Sequence, residues 1–315
     1  MAGTVTSRTS IRFVPIILVV IAIAAMRTLA PFDALHSWTT LPFLVAAATL
    51  YLLAHMMRAA RLAVIAMPML GLSFRTAFLL HLFVAPWSLI MPFKLDEAIR
   101  LYELRHTGKS WSRAMVTLLI DRSMDGLVLL TLGLTLLLSG RAGNIMLLGL
   151  SGFVLTIILI MLFTLPILLE AVQSYIFQHH YGAHALRSLR VIDYLRRLLT
   201  AGRTTINRTA LFLAIITFWI WIVELAAVAT VLAGIDPATS IFDVIDLMLA
   251  RTDISWRILL LGDMSRQRAA ILTMTFVWGL VAAFVPAALL YGRRRGSEPL
   301  RTLAATRPAP ILTRL

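Results

Sequence analysis

The sequence predicts an all-α, polytopic integral membrane helical bundle, and three observations carry that prediction. Of 315 residues, 60% are hydrophobic and only 14% charged, an imbalance that points to lipid as the solvent. Apolar runs long enough to cross about 30 Å of hydrocarbon, which takes roughly 20 helical residues, recur from Ile11 to Tyr291. These runs are continuous, without the two-residue alternation of barrel strands, and in lipid a helix satisfies its own backbone.

The runs fall at about 13–30, 40–57, 62–92, 114–139, 144–169, 209–234, 241–261 and 269–291. The first follows Arg8 and Arg12, as the core of a signal peptide would, but it has no clear cleavage site and is long enough to stay as a span. The run at 62–92 is interrupted by Pro68, Gly71, Arg75 and Pro86, and the run at 241–261 carries Asp243, Asp246, Arg251, Asp253 and Arg257. Both read as broken or re-entrant segments. The other runs read as full spans.

Charge placement decides between topologies, because Arg-rich stretches collect on the cytoplasmic side. If all the runs crossed from a cytoplasmic N-terminus, Lys94 to Arg113 would be exported, as would Arg187, Arg190, Arg196, Arg197, Arg203 and Arg208. If the two irregular runs enter and leave on one side, about six full spans remain. Both basic stretches then fall inside with Arg293, Arg294 and Arg295, and the N- and C-termini are cytoplasmic. Arg251, Arg257, Arg266 and Arg268 are left near the outer side, partly offset by Asp243, Asp246, Asp253 and Asp263. One broken run per half, dipping from opposite faces, is the pattern of an inverted repeat with a site near the midplane.

Residues 1–292 thus read as a single membrane domain with a basic cytoplasmic loop at about 170–208, and 293–315 as a flexible basic C-terminal tail. Within the loop a helix from Leu186 to Leu199 would gather Leu189, Ile192, Leu195 and Leu199 on one side and Arg on the other. That suits anionic lipid or a solvated connection. The net charge of +14 lies in the gaps between runs. No basic soluble domain studded with aromatics exists to bind nucleic acid. The absence of Cys removes disulfide and thiolate chemistry and fits the cell inner membrane.

The densest polar content lies between Met91 and Asp125. Pro92 can open a helix on which Asp96 and Glu97 sit at the positive N-terminal end, with Arg100 one turn on. Asp121, Arg122 and Asp125 follow inside an apolar span, where a charge costs a few kcal/mol and should face a partner or a wet cavity. Two readings stand side by side. The cluster is either a buried ion-pair network that locks the broken segment onto the bundle, or an anionic head-group site. In the second, Lys94, Arg100 and Arg122 outweigh the carboxylates, and the planar guanidinium fork binds two phosphate oxygens.

Glu224, about fifteen residues into its span, is either a protonated acid bonded to a neighbouring helix or a proton-coupling group. His55 and His81 on apolar stretches read as packed or interfacial. No metal-ligand spacing, phosphate-cradling loop or nucleophile elbow is present, so neither a metal nor a cofactor is expected.

The order Pro-x-basic-x-x-Glu-x-x-Arg, a short basic linker, then acid-Arg-x-x-Asp resembles the transmembrane region of lysylphosphatidylglycerol synthases and related stand-alone flippase-like membrane proteins. The match keeps Pro92, Lys94, Glu97, Arg100, Arg122 and Asp125, while Asp96 and Asp121 stand where the family usually has Gly and Glu. It extends back to Arg58 and Arg61 and forward to Trp221 and Glu224, and weakens after about Gly234. The resemblance implies translocation of lipids or handling of lipid-linked head groups. A synthase is not expected, since no room remains for an aminoacyl-transfer domain.

Three functions compete. The first is a flippase-like protein that takes an anionic lipid or lipid-linked saccharide, of phospholipid or polyprenyl-phosphate type. It would use Lys94, Arg100 and Arg122 on the phosphate, with Glu97, Asp121 and Asp125 holding the arginines. The second is a membrane-embedded glycosyl- or phosphotransferase using Asp243 and Asp246, an unspecific acidic pair. The third is a non-catalytic membrane partner of an envelope-polymer assembly, docking through its basic loops.

Overall fold

The structure, a computed structural model, describes residues 41–86, 95–140, 145–179, 182–235, 240–242 and 244–245, and scattered positions from 275 to 290. The run at 13–30, most of the run at 241–261 and most of that at 269–291 lie outside the described residues. Among the described residues all regular structure is helical, as the fold class requires.

Helix α1 (Leu41–Leu70) runs straight through the gap expected at Arg58 and Arg61. The sequence reading of two separate runs, 40–57 and 62–92, is corrected here. Both arginines find carboxylates on other helices, so neither has to reach water. The break comes later, at Gly71, whose φ of +66 is the left-handed conformation that glycine adopts without a Cβ penalty. Its amide donates to the Met67 carbonyl at 3.0 Å and so caps the last turn of α1. Ser73 then opens α2 (Phe74–Val84), its hydroxyl accepting from the Thr76 amide at 3.3 Å. Over its described residues, up to 86, the irregular run is therefore a helix end, a three-residue turn and a short helix.

Helix α3 (Leu95–Gly108) begins with Asp96 and Glu97 and ends with Arg105 and His106, a charge order that complements its dipole at both ends. Ser110 caps α4 (Trp111–Leu138), and the Arg105 guanidinium lies 4.7 Å over the Trp111 ring, tying the two helices at their junction. Helix α5 (Ile145–Leu159) passes into α6 (Leu165–His179) through a five-residue π-helical turn, Ile160–Thr164. Pro166 supplies the reason, because it has no amide for the Leu162 carbonyl and its ring needs the extra room.

Helix α7 (Ala183–Ile235) is 53 residues, about 80 Å at roughly 1.5 Å per residue. Within the stretch read as a basic loop at 170–208, residues 170–179 belong to α6 and 183–208 to α7, and the helix expected over Leu186 to Leu199 lies within α7. Leu198 and Leu199 are buried, and a Cβ on Gly202 would sit 2.9 Å from Val116 Cγ1, which shows how closely α7 approaches α4.

The main packing is of α1 on α7, with α2, α4 and α6 arranged around that pair. Small residues on α1, including Ala47, Ala54, Ala59, Ala63 and Ala66, are fully buried and let backbones approach, the usual device of helices in lipid. Leu62, Ile65, Leu80, Leu104, Ile120 and Leu213 fill one core region, and Tyr51 stacks on Phe276 in another at 3.9 Å between ring centroids. Three described helical stretches are long and apolar enough to cross a membrane: Leu41–Leu70, Gly152–His179 and Ala183–Gly234. Helix α4, at 28 residues, is also long enough but carries charge at its centre.

Candidate functional site

Arg122 and Asp125 lie about 17 and 21 Å along α4 at roughly 1.5 Å per residue, midway down a helix of 28 residues. At that depth an isolated charge is costly, so the side chains that meet these groups decide what they do. The structure brings four helices to the same place.

At the centre is Arg61, 0% exposed. Its Nε donates to Asp121 Oδ1 at 2.9 Å, while Nη1 and Nη2 grip Asp125 Oδ1 and Oδ2 at 2.8 and 2.9 Å. Nη1 also reaches the Thr217 hydroxyl at 3.2 Å, which draws α7 into the network. The pairing with Asp125 is the parallel fork geometry that makes guanidinium–carboxylate contacts strong and directional.

Arg122 takes the second oxygen of Asp121 and shares Asp125 Oδ2 with Arg61. Its Nη2 lies 2.8 Å from Asp121 Oδ2, its Nη1 3.0 Å from Asp125 Oδ2, and its Nε 3.2 Å from Glu97 Oε1. Arg100 closes the ring from α3, with Nη1 3.3 Å from Glu97 Oε1 and 3.8 Å from Asp121 Oδ2. One helical turn before Arg61, Arg58 pairs with Glu224 and lies 5.9 Å over the Trp221 ring. Arg58 and Arg61 on α1 thus face Glu224 and Thr217 on α7 along one buried seam.

The expected meeting of Glu97, Arg100, Asp121, Arg122 and Asp125 is found in this geometry. Lys94 lies outside the described residues, as do Asp243 and Asp246. Glu224 is placed as the partner of Arg58. Sequence reasoning missed the central role of Arg61 and the part of Thr217. A usable signal for Arg61 was present, since two arginines three apart in an apolar stretch share a helix face and imply acids opposite.

Lys94, which counts toward the expected positive surplus, lies outside the described residues; the described charges of the cluster pair off. Four guanidinium groups, from Arg58, Arg61, Arg100 and Arg122, face four carboxylates, from Glu97, Asp121, Asp125 and Glu224. Among the described residues there is no surplus of positive charge, because the acids expected to hold two arginines also neutralise them. Exposure separates the members instead. The Arg122 side chain is 35% exposed, against 4% for Arg100 and 0% for Arg61. Glu97 Oε2 and Arg100 Nε are buried without a hydrogen-bond partner among the described residues, so the edge of the network near Arg122 retains unused polar capacity.

Chemically, each carboxylate of the network meets at least one guanidinium, so the described groups suit anion recognition more than cation ligation. His81 and His55 are buried with ring centroids 5.8 Å apart, consistent with packed residues.

Comparison with known proteins agrees with this architecture. The model of the family described as the lysylphosphatidylglycerol synthase TM region matches residues 10–262. That range holds every member of the cluster and continues past Gly234. No curated protein and no solved structure matches the chain.

Proposed function

The chain belongs to the lysylphosphatidylglycerol synthase transmembrane-region family, and we propose that it binds an anionic lipid or lipid-linked head group at the Arg122 cluster and translocates it or hands it over. A polytopic membrane protein of this family is surrounded by lipid, and the proposed substrate is of phospholipid or polyprenyl-phosphate type. The cell inner membrane, with both termini cytoplasmic, is the setting proposed from the distribution of arginine.

The observation that carries the reading is the partial exposure of Arg122 beside a network whose other arginines are closed off. Arg61 already occupies one oxygen of Asp121 and both oxygens of Asp125. These acids are therefore shared, and they orient Arg122 without fully saturating it. A phosphate reaching Arg122 would compete with its carboxylate partners, Glu97 at 3.2 Å from the buried Nε included, and accept two hydrogen bonds from one guanidinium. Lys94, next to α3, would contribute a further cation. Arg58 and Glu224 would act as the coupling element, since a proton arriving at Glu224 would break its ion pair with Arg58 on the same seam.

Reconstitution into liposomes with fluorescent anionic and zwitterionic lipids tests the proposal. Translocation should depend on the anionic head group and fall about tenfold or more in Arg122→Gln, by the loss of a charge-assisted contact. Unchanged translocation in the Arg100→Gln, Arg122→Gln double variant would sink it. The exact pairing of cations and acids favours a second reading, a non-catalytic membrane partner of an envelope-polymer system in which the cluster only locks the bundle. A folded wild-type protein that neither binds nor moves anionic lipid would select that reading.

A further inference from the structure

A second group of arginines lies away from the buried cluster, where α6 and α7 diverge. Arg196, Arg197 and Arg203, with Thr200, line an open cleft of about 490 Å³, whose other wall is Pro166, Ile167 and Glu170. We infer that this cleft is a binding site for the head group of an anionic phospholipid at the membrane surface.

Position along α7 is the first argument. The helix carries Arg187, Arg190, Arg196, Arg197, Arg203 and Arg208 in its first half and then an apolar run from Thr209 until Glu224. Arg203 stands six residues before that run, about 9 Å along the axis at roughly 1.5 Å per residue. The cleft therefore sits where hydrocarbon gives way to water, at the level of lipid phosphates.

The facing walls differ in the way a lipid requires. Residues 196, 200 and 203 follow i, i+4, i+7 spacing and share one side of α7. Opposite, Ile167 is 61% exposed, on an apolar stretch long enough to span the membrane, so acyl chains have a surface beside the head group. Arg203 lies 5.8 Å over the Phe163 ring, and no carboxylate reaches it among the described residues. Asp193 holds its neighbours in place, with Oδ1 3.5 Å from Arg196 Nη2 and Oδ2 2.7 Å from Arg197 Nη2. Glu170 is the one acid in the lining and contacts Arg196 at 3.7 Å. Three guanidiniums against two carboxylates leave a net positive site, and a phosphodiester supplies the missing negative charge. An acidic protein segment would meet the same charges but would leave the apolar wall unused.

Native mass spectrometry of the full chain in detergent tests this, with phosphatidylglycerol and phosphatidylcholine as probes. Phosphatidylglycerol should bind in preference to phosphatidylcholine, and Arg196→Gln with Arg203→Gln should weaken it about tenfold or more. The pair Arg187→Gln and Arg190→Gln removes equal charge off the cleft and should change binding less than about threefold. Glu170→Gln, at a side chain 68% exposed, should tighten binding, and this arm stays informative if the double variant folds poorly. The same differences must persist in Arg122→Gln, so that failure of the cleft and failure of the buried site are told apart. Equal losses from both arginine pairs would show diffuse surface charge and overturn the inference. Displacement by an equal concentration of inorganic phosphate, or a preference for an acidic peptide over the lipid, would overturn it as well.

Discussion

Replacing Arg61 with Met should destabilise the protein more than the same change at Arg122, although both arginines grip the same two acids. Removing one partner of a buried ion pair generally costs about 3–5 kcal/mol, because a charge is left without compensation. Arg61 is completely buried and makes three hydrogen bonds to Asp121 and Asp125. Arg122 still holds both acids in Arg61→Met, which puts the expected cost near the lower end, about 3 kcal/mol. Arg122 is 35% exposed, so screening discounts its loss to about 1–2 kcal/mol. Reversible unfolding in mixed micelles would measure the difference. A double-mutant cycle of Arg61→Met with Asp125→Asn should return a coupling of about 1–3 kcal/mol. Additive single losses, or a cost at Arg61 no greater than at Arg122, would refute the placement of Arg61 at the centre of the network.

Three further outcomes follow from the packing and the backbone. Glu224→Gln should lower stability by leaving the Arg58 charge uncompensated, and Arg58→Gln on top of it should recover part of the loss in the same unfolding assay. If Glu224 couples protons, Glu224→Gln should also flatten the pH profile of transport, and an unchanged profile removes that role. Gly202→Leu should cost about 1–3 kcal/mol, because the first added carbon already falls 2.9 Å from Val116 Cγ1, and crosslinking between α4 and α7 should weaken with it. Lys109→Gly should stabilise by about 0.5–1 kcal/mol, since Lys109 turns between α3 and α4 with a φ of 57° that glycine adopts freely.

How much of this was legible in the sequence depended on the distance over which each decision is made. The helical character, the acidic first turn of α3 and the turn of α4 bearing Asp121, Arg122 and Asp125 are local, and spacing reveals them. The grouping of Glu97, Arg100 and Arg122 was also readable, because α3 and α4 are joined by a turn of two residues. Continuity of α1 through Arg58 and Arg61 was not. In isolation a charged pair signals water, and its cancellation comes from acids 60, 64 and 166 residues away. A helix over Leu186 to Leu199 was readable from its spacing, but its unbroken continuation into the span was not, because it rests on the burial of Leu198 and Leu199 and the close approach at Gly202.

The length of α7 has a mechanical consequence. One unbroken rod carries the arginine cleft at one level and Thr217 and Glu224 at another, with Gly202 bearing directly on α4. Treated as a lever pivoting at Gly202, its arm to Glu224 is about 33 Å, so a tilt of about 5° sweeps Glu224 through about 3 Å. Such a swing is enough to part Glu224 from Arg58. Leverage of this kind would let an event at the bilayer surface be felt at mid-depth without any bend in between, and spin labels at the two levels would register it as a correlated change in distance to α1.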